Sequence, residues 1–225
     1  MSGAISSYLP MALGVALSPT AIIAMLILCA LNRAKTSGTF ALFGWIVGVF
    51  GFMILSVFLA SWLTPQDPDN PSILLISLRF LFAFLLLFLA WRSWKTRPKT
   101  TDTAAAHPLR IDKLQNLSTL AAFGFGVALV FAAIKNWPIM AAAALDIAQT
   151  APTLSQGITT ALLFALISSL GLMIPWLLSI LGGEAVKTGL AELHRWLTKY
   201  GNTIMAILFL FLGTKALLGA IEALP

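Results

Sequence analysis

The chain has 225 residues, of which 59% are hydrophobic and only 10% charged, with a formal net charge of +6. A soluble domain carries about 25% charged residues, so this surface has too few polar groups to meet water on all sides. The mean hydropathy of +0.94 excludes a soluble globular protein on the same ground.

Nucleic acid is not expected as a partner, because the basic excess lies in short stretches beside apolar runs, where membrane orientation accounts for it. A single cysteine, Cys29, excludes an internal disulfide and a Cys-x-x-Cys pair, and in its apolar run it reads as a small packing residue. His107 and His194 fall in no metal-ligand spacing, and no cofactor is implied. The first charged side chain is Arg33, so the first apolar run lacks the basic start of a cleaved leader and should remain as a helix.

Six apolar segments follow in chain order, near 7–31, 38–63, 72–93, 118–145, 154–182 and 200–221. Each supplies the roughly 20 helical residues that a hydrocarbon core of about 30 Å requires. Helices are expected because backbone groups in lipid must be satisfied within their own segment. The fold class is therefore an all-α membrane protein with six transmembrane helices. The first segment is interrupted by Ala16-Leu17-Ser18-Pro19-Thr20, where proline removes an amide donor and frees a carbonyl beside two hydroxyls. Arg33 and Lys35 follow it. The second segment carries Gly44, Gly48 and Gly51, which permit close helix contacts, within the bundle or in a dimer. After it come Asp67 and Asp69, with no basic residue between 64 and 71.

The third segment holds Arg79, about a third of the way in. The stretch 94–117 is the longest polar one, and Thr100 to Ala106 reads as a linker between two three-helix halves. The fourth segment is broken by Lys135-Asn136-Trp137-Pro138 and ends near Asp146. The fifth contains Pro175, with no polar companion and so read as a plain kink. Between 184 and 199, Val186, Leu190, Leu193 and Leu197 recur at helical spacing, which fits either a short interfacial amphipathic helix or a partly helical soluble loop. Lys215 lies in the sixth segment. Of the 14 basic residues, 11 fall in the loops after segments one, three and five, and none in the other two loops. The positive-inside rule makes the basic face cytoplasmic and both termini extracytoplasmic.

Laying Pro19 on Pro138 also lays Gly38 on Gly157, at matching places in the two halves. The organisation is then a first repeat over 1–93, a basic cytoplasmic linker over 94–117, and a second repeat over 118–225 that includes the amphipathic stretch near 184–199. With three helices each, the halves must be inverted, as in many transporters, and symmetric helix breaks point to the substrate site. Charge inside a bilayer is costly, about 2.5 kcal/mol or more at the centre on insertion scales. Three cations lie there: Lys135, Arg79 and Lys215. Arg79 and Lys215 could snorkel outward or pair with Asp146 and Glu222. Lys135 should reach neither interface from mid-span, so it calls for an anionic ligand, an acceptor or a water-filled cavity. A cavity lined by Lys135, with Arg79 and Lys215 as further candidates that would draw the head toward the outer side, would attract an anion, hydrogen-bonded by Ser18, Thr20 and Asn136 and kept open by Pro19 and Pro138. Asp146 is a candidate for coupling to an ion or proton. No phosphate-binding loop, metalloprotease motif or catalytic constellation is present, so an enzyme is not expected.

The opening Leu9-Pro10-Met11-Ala12-Leu13-Gly14-Val15-Ala16-Leu17-Ser18-Pro19-Thr20, the Gly44-Trp45 region, the charged central loop and Lys135-Asn136-Trp137-Pro138 together resemble the lysine-exporter superfamily. The resemblance is strongest to its glycolipid- or sulfolipid-addressing branch, the GAP family. Amino-acid exporters of the superfamily carry Pro-Gly-Pro-type and Asn-Pro-Lys-type motifs. Here only Ser18-Pro19 and a reordered Lys135-Asn136 with Pro138 remain, which argues against amino-acid export. The resemblance implies inverted three-helix repeats and a plasma-membrane flippase or exporter of an anionic lipid or glycolipid, such as a polyprenyl-phosphate-linked sugar. The alternatives are a small-solute exporter or a non-transporting accessory protein. The partners expected are the membrane lipid, the lipid substrate, and either a second copy of the chain or a lipid-export complex.

Overall fold

The computed structural model describes residues 2–29, 34–63, 73–97, 117–150, 153–182 and 184–222, and the elements among them are all helices. In chain order these are α1 (Ser2–Ala16), α2 (Pro19–Cys29), α3 (Ala34–Leu63), α4 (Ile73–Lys95) and α5 (Thr119–Ala132). A 3-10 turn (Ile134–Asn136) follows, then α6 (Trp137–Thr150), α7 (Leu154–Ser168), α8 (Leu170–Leu181) and α9 (Glu184–Ile221). The acidic loop 64–71 and most of the basic linker lie outside the described residues.

Three helices are long and apolar enough to cross a membrane alone: α3, α4 and most of α9. The rest form bent pairs, α1–α2 at 42°, α5–α6 at 57° and α7–α8 at 49°, which raises the number of spans to six if each pair counts as one. Large apolar side chains cover the outside, among them Phe43, Phe58, Trp62, Phe84, Leu162 and Phe211, as expected for a surface that faces lipid tails.

Each break has a local cause. Pro19 cannot offer an N–H to the carbonyl of Val15, which instead accepts from Ser18 N at 3.1 Å, a tightened i→i+3 turn. In the fourth span Asn136 N donates to Ala133 O at 2.8 Å, again i→i+3, just before Pro138. The fifth span bends at Ser168-Ser169 rather than at Pro175, which sits buried inside α8. Both serine hydroxyls turn back to the carbonyl of Ala165, the back-bonding that bends membrane helices. The second span, α3, runs unbroken, so the two halves match at their first spans but not at their second.

Small residues bring the backbones together. A Cβ on Gly44 would lie 2.0 Å from the carbonyl oxygen of Phe123, and one on Gly126 would lie 2.0 Å from that of Ala41. Gly44 and Gly48 of α3 thus serve the α3–α5 crossing inside the bundle, while Gly51 has open space at its Cβ. The residues near 184–199 differ from expectation in form: they continue without a break into the sixth span as one helix of 38 residues. Leu190 and Leu197 are buried, so the apolar stripe read as lying on a membrane surface packs instead on protein, where α9 meets α2 and α8.

Candidate functional site

The three breaks converge. A Cβ on Gly171, at the start of α8, would lie 1.8 Å from the carbonyl oxygen of Ala16 at the end of α1. The bend of span five therefore abuts that of span one. A Cβ on Gly201 of α9 would lie 2.8 Å from Pro19 Cβ. The next residue, Asn202, accepts a hydrogen bond from Lys135 Nζ at 3.2 Å. Residues 201 and 202 of α9 thus join the break of span one to that of span four.

The polar groups at this junction are sheltered from solvent. Ser18 is 2% exposed, and Asn136, Ser168 and Ser169 are fully buried. Neither the Nδ2 nor the Oδ1 of Asn136 has a hydrogen-bond partner. An amide left so is unusual, since buried polar side chains nearly always find partners. The carbonyl of Val130, freed where α5 ends, is taken by the indole N–H of Trp137 at 3.1 Å. That leaves Asn136 as the open group of the break. Thr20, by contrast, is exposed on the first turn of α2 and does not share the burial of Ser18. Pro138 is half-buried on the first turn of α6.

Lys135 is not stranded. Its Nζ donates to the Oδ1 of Asn202, and Asn202 Nδ2 donates to the carbonyl of Thr96 at 2.8 Å, one residue past the end of α4. Sequence reading expected an ammonium that reaches neither interface. The long side chain, together with Asn202, instead ties the break to the basic end of α4, where Arg92 acts electrostatically on it. The acceptor is a neutral amide, so the positive charge is held without being cancelled. The adjoining start of α6 adds the positive end of a helix dipole. The same end of α4 and α9 carries an aromatic belt with cations over the rings: Lys95 over Trp91 at 4.5 Å, Arg97 over Trp94 at 3.8 Å and Lys199 over Tyr200 at 5.1 Å.

Arg79 and Lys215 do not join Lys135 at the breaks. Arg79 Nη1 donates to the carbonyl of Gly219 at 3.3 Å and its Nη2 donates to Gln149 Oε1. Gly219 and Asn202 lie on one helix, 17 residues apart by their numbers, or about 25 Å at a helical rise of 1.5 Å. Asp146, one turn before Gln149 on α6, feels the charges of both Arg79 and Lys215. The molecule therefore has two polar clusters, one at the convergent breaks and one toward the far ends of α4, α6 and α9.

Sequence reasoning missed Asn202, Gln149 and the Ser168-Ser169 break. A Ser-Ser pair followed closely by Gly171 is a known kink signal and could have revealed the last. Asn202 and Gln149 act over long sequence separations and left no local mark. Compared with known proteins, the chain matches a protein-family model described as SfLAP: Sap, sulfolipid-1-addressing protein, over residues 8–221. No curated protein and no solved structure matches it.

Proposed function

This chain belongs to the Sap, sulfolipid-1-addressing protein family, and from that premise we propose that it is a transporter, moving an anionic lipid or glycolipid across the membrane as a flippase or exporter. The observation that carries the reading is the buried Asn136 amide with both polar atoms unpartnered, beside an ammonium whose acceptor is the neutral Asn202. A phosphate or sulfate head would accept from Lys135 and from Asn136 Nδ2, and a neighbouring hydroxyl of that head would donate to Asn136 Oδ1. Ser18 at the adjoining break would add a third contact.

The working orientation puts the basic end of α4 in the cytoplasm, following the positive-inside rule. An anionic head then enters from the inner leaflet past Trp91, Trp94 and Tyr200, and meets Lys135 at the convergent breaks. It leaves by the cluster of Arg79 and Lys215. Matching breaks in spans one and four support an inverted-repeat mechanism, in which bent half-helices rock around the site. Drive by a proton gradient or by mass action fits the absence of a nucleotide-binding motif from the sequence.

The test is reconstitution of the purified protein in vesicles, with fluorescent phosphatidic acid and phosphatidylcholine as probes and amino acids as a control. Transbilayer movement of the anionic probe, lost in Lys135→Ala, is the expected result. Movement of amino acids without lipid would replace this reading with small-solute export. No movement of any probe by the protein, alongside copurification with a lipid-export complex, would replace it with an accessory role.

A further inference from the structure

The second cluster, about 25 Å along α9 from the first, has features that helix packing does not require. Arg79 of α4 gives both of its hydrogen bonds to neutral acceptors, the carbonyl of Gly219 and the side-chain oxygen of Gln149. Gln149 spends its oxygen on that contact, and its Nε2 is left buried with no partner. A buried N–H without an acceptor is a cost that native structures rarely keep. Asp146 and Gln149 lie one turn apart on α6, Lys215 and Gly219 one turn apart on α9, and the charges of Arg79 and Lys215 both act on Asp146. Of the elements packed against α6, α1 and α7 carry no charge, α3 has only Lys35 at its opposite end, and α4 has, besides Arg79, Arg92 and Lys95 at its far end, while Glu222 follows α9 three residues past Gly219. The cluster thus sets Arg79 and Lys215 beside Asp146, with Glu222 three residues past Gly219, and leaves one unused amide donor.

We propose that Arg79, Lys215 and Gln149 form a second station for the anionic head of a lipid, and that Asp146 is its built-in competitor. While no substrate is there, the carboxylate balances the cations and keeps the station closed to other anions. A phosphate or sulfate ester arriving there accepts from Gln149 Nε2 and from Arg79, and displaces Asp146 from its electrostatic partnership. The station then binds weakly enough to let the head go, a need that any carrier has at its exit. This inference rests on the reading of the chain as an anionic-lipid transporter.

The experiment titrates the purified protein in phosphatidylcholine nanodiscs with fluorescent phosphatidic acid, and in parallel with inorganic phosphate. Asp146→Asn preserves shape while removing the competing charge. It should tighten binding of the lipid by about tenfold or more, the scale expected on removal of a like charge at close range. Adding Arg79→Gln to that variant should erase the gain, because the anion loses its partner. Unchanged or weaker binding in Asp146→Asn, a gain that survives Arg79→Gln, or equal binding of inorganic phosphate would each overturn the second station. If the wild type still binds lipid and Lys135→Ala weakens it, the transport reading stands without it. Should neither the wild type nor any variant bind the anionic probe, the transport reading falls and takes the station with it.

Discussion

Substituting Gly171 by alanine tests the convergence of the breaks on which the site depends. The added Cβ would lie 1.8 Å from the oxygen and 2.8 Å from the carbon of the Ala16 carbonyl. Both are backbone atoms, so no flexible side chain can swing away, and the junction of α1 with α8 must open by about 1 Å or more. Overpacking of this kind costs about 1–3 kcal/mol. At roughly 2–4 °C per kcal/mol for a chain of this size, the thermal midpoint should fall by about 2–12 °C. The assay is fluorescence-monitored unfolding of the protein in detergent. Gly189→Ala is the internal control, because nothing lies within 4 Å of its Cβ position and alanine favours a helix interior by about 0.5–1 kcal/mol. Vesicle transport should fall in Gly171→Ala as the breaks lose register, and stay intact in the control. A Gly171→Ala protein as stable and as active as the wild type would refute the close approach of spans one and five.

Asn136→Leu should separate stability from activity. Replacing an unpartnered buried amide with an apolar group of similar size should raise stability by about 1–3 kcal/mol, read as a higher unfolding midpoint, while transport of the anionic probe is lost. A variant that loses both would show that the amide has a partner after all. Gly44→Ala, whose Cβ would lie 2.0 Å from the Phe123 carbonyl oxygen, should lower the midpoint by a similar amount to Gly171→Ala. Gly51→Ala, with open space at its Cβ, should not lower it.

Much of the architecture was written locally in the sequence. Long apolar runs demand helices because lipid offers the backbone no hydrogen-bond partners, and helices occupy all six segments, three of them as bent pairs. Pro19 and Pro138 marked two of the breaks because a missing amide leaves a fixed sign at one position. The third break was hidden, since Ser168 and Ser169 bend the helix through hydroxyl contacts to Ala165, while Pro175 nearby drew attention and is accommodated inside α8. The identity of the polar residues was legible, but their grouping was not. Lys135 meets Asn202, 67 residues away, and Arg79 meets Gln149, 70 residues away. No periodicity reports which helices lie side by side, so the sequence left open whether Arg79 and Lys215 share a cavity with Lys135, and packing sets them in a separate cluster. The extent of α9 was obscured for a related reason: an apolar stripe on a charged helix looks the same whether it covers protein or membrane.

The claim on which the account turns is that the uncancelled charge of Lys135, beside the open amide of Asn136, holds the anionic head of a lipid. Native mass spectrometry of the gently solubilised protein measures this directly. The wild type should carry a retained anionic lipid, and Lys135→Ala, with an unchanged circular dichroism spectrum, should have lost it. A wild-type protein that carries only zwitterionic lipid, or a Lys135→Ala protein that keeps the anionic one at equal occupancy, would contradict the account.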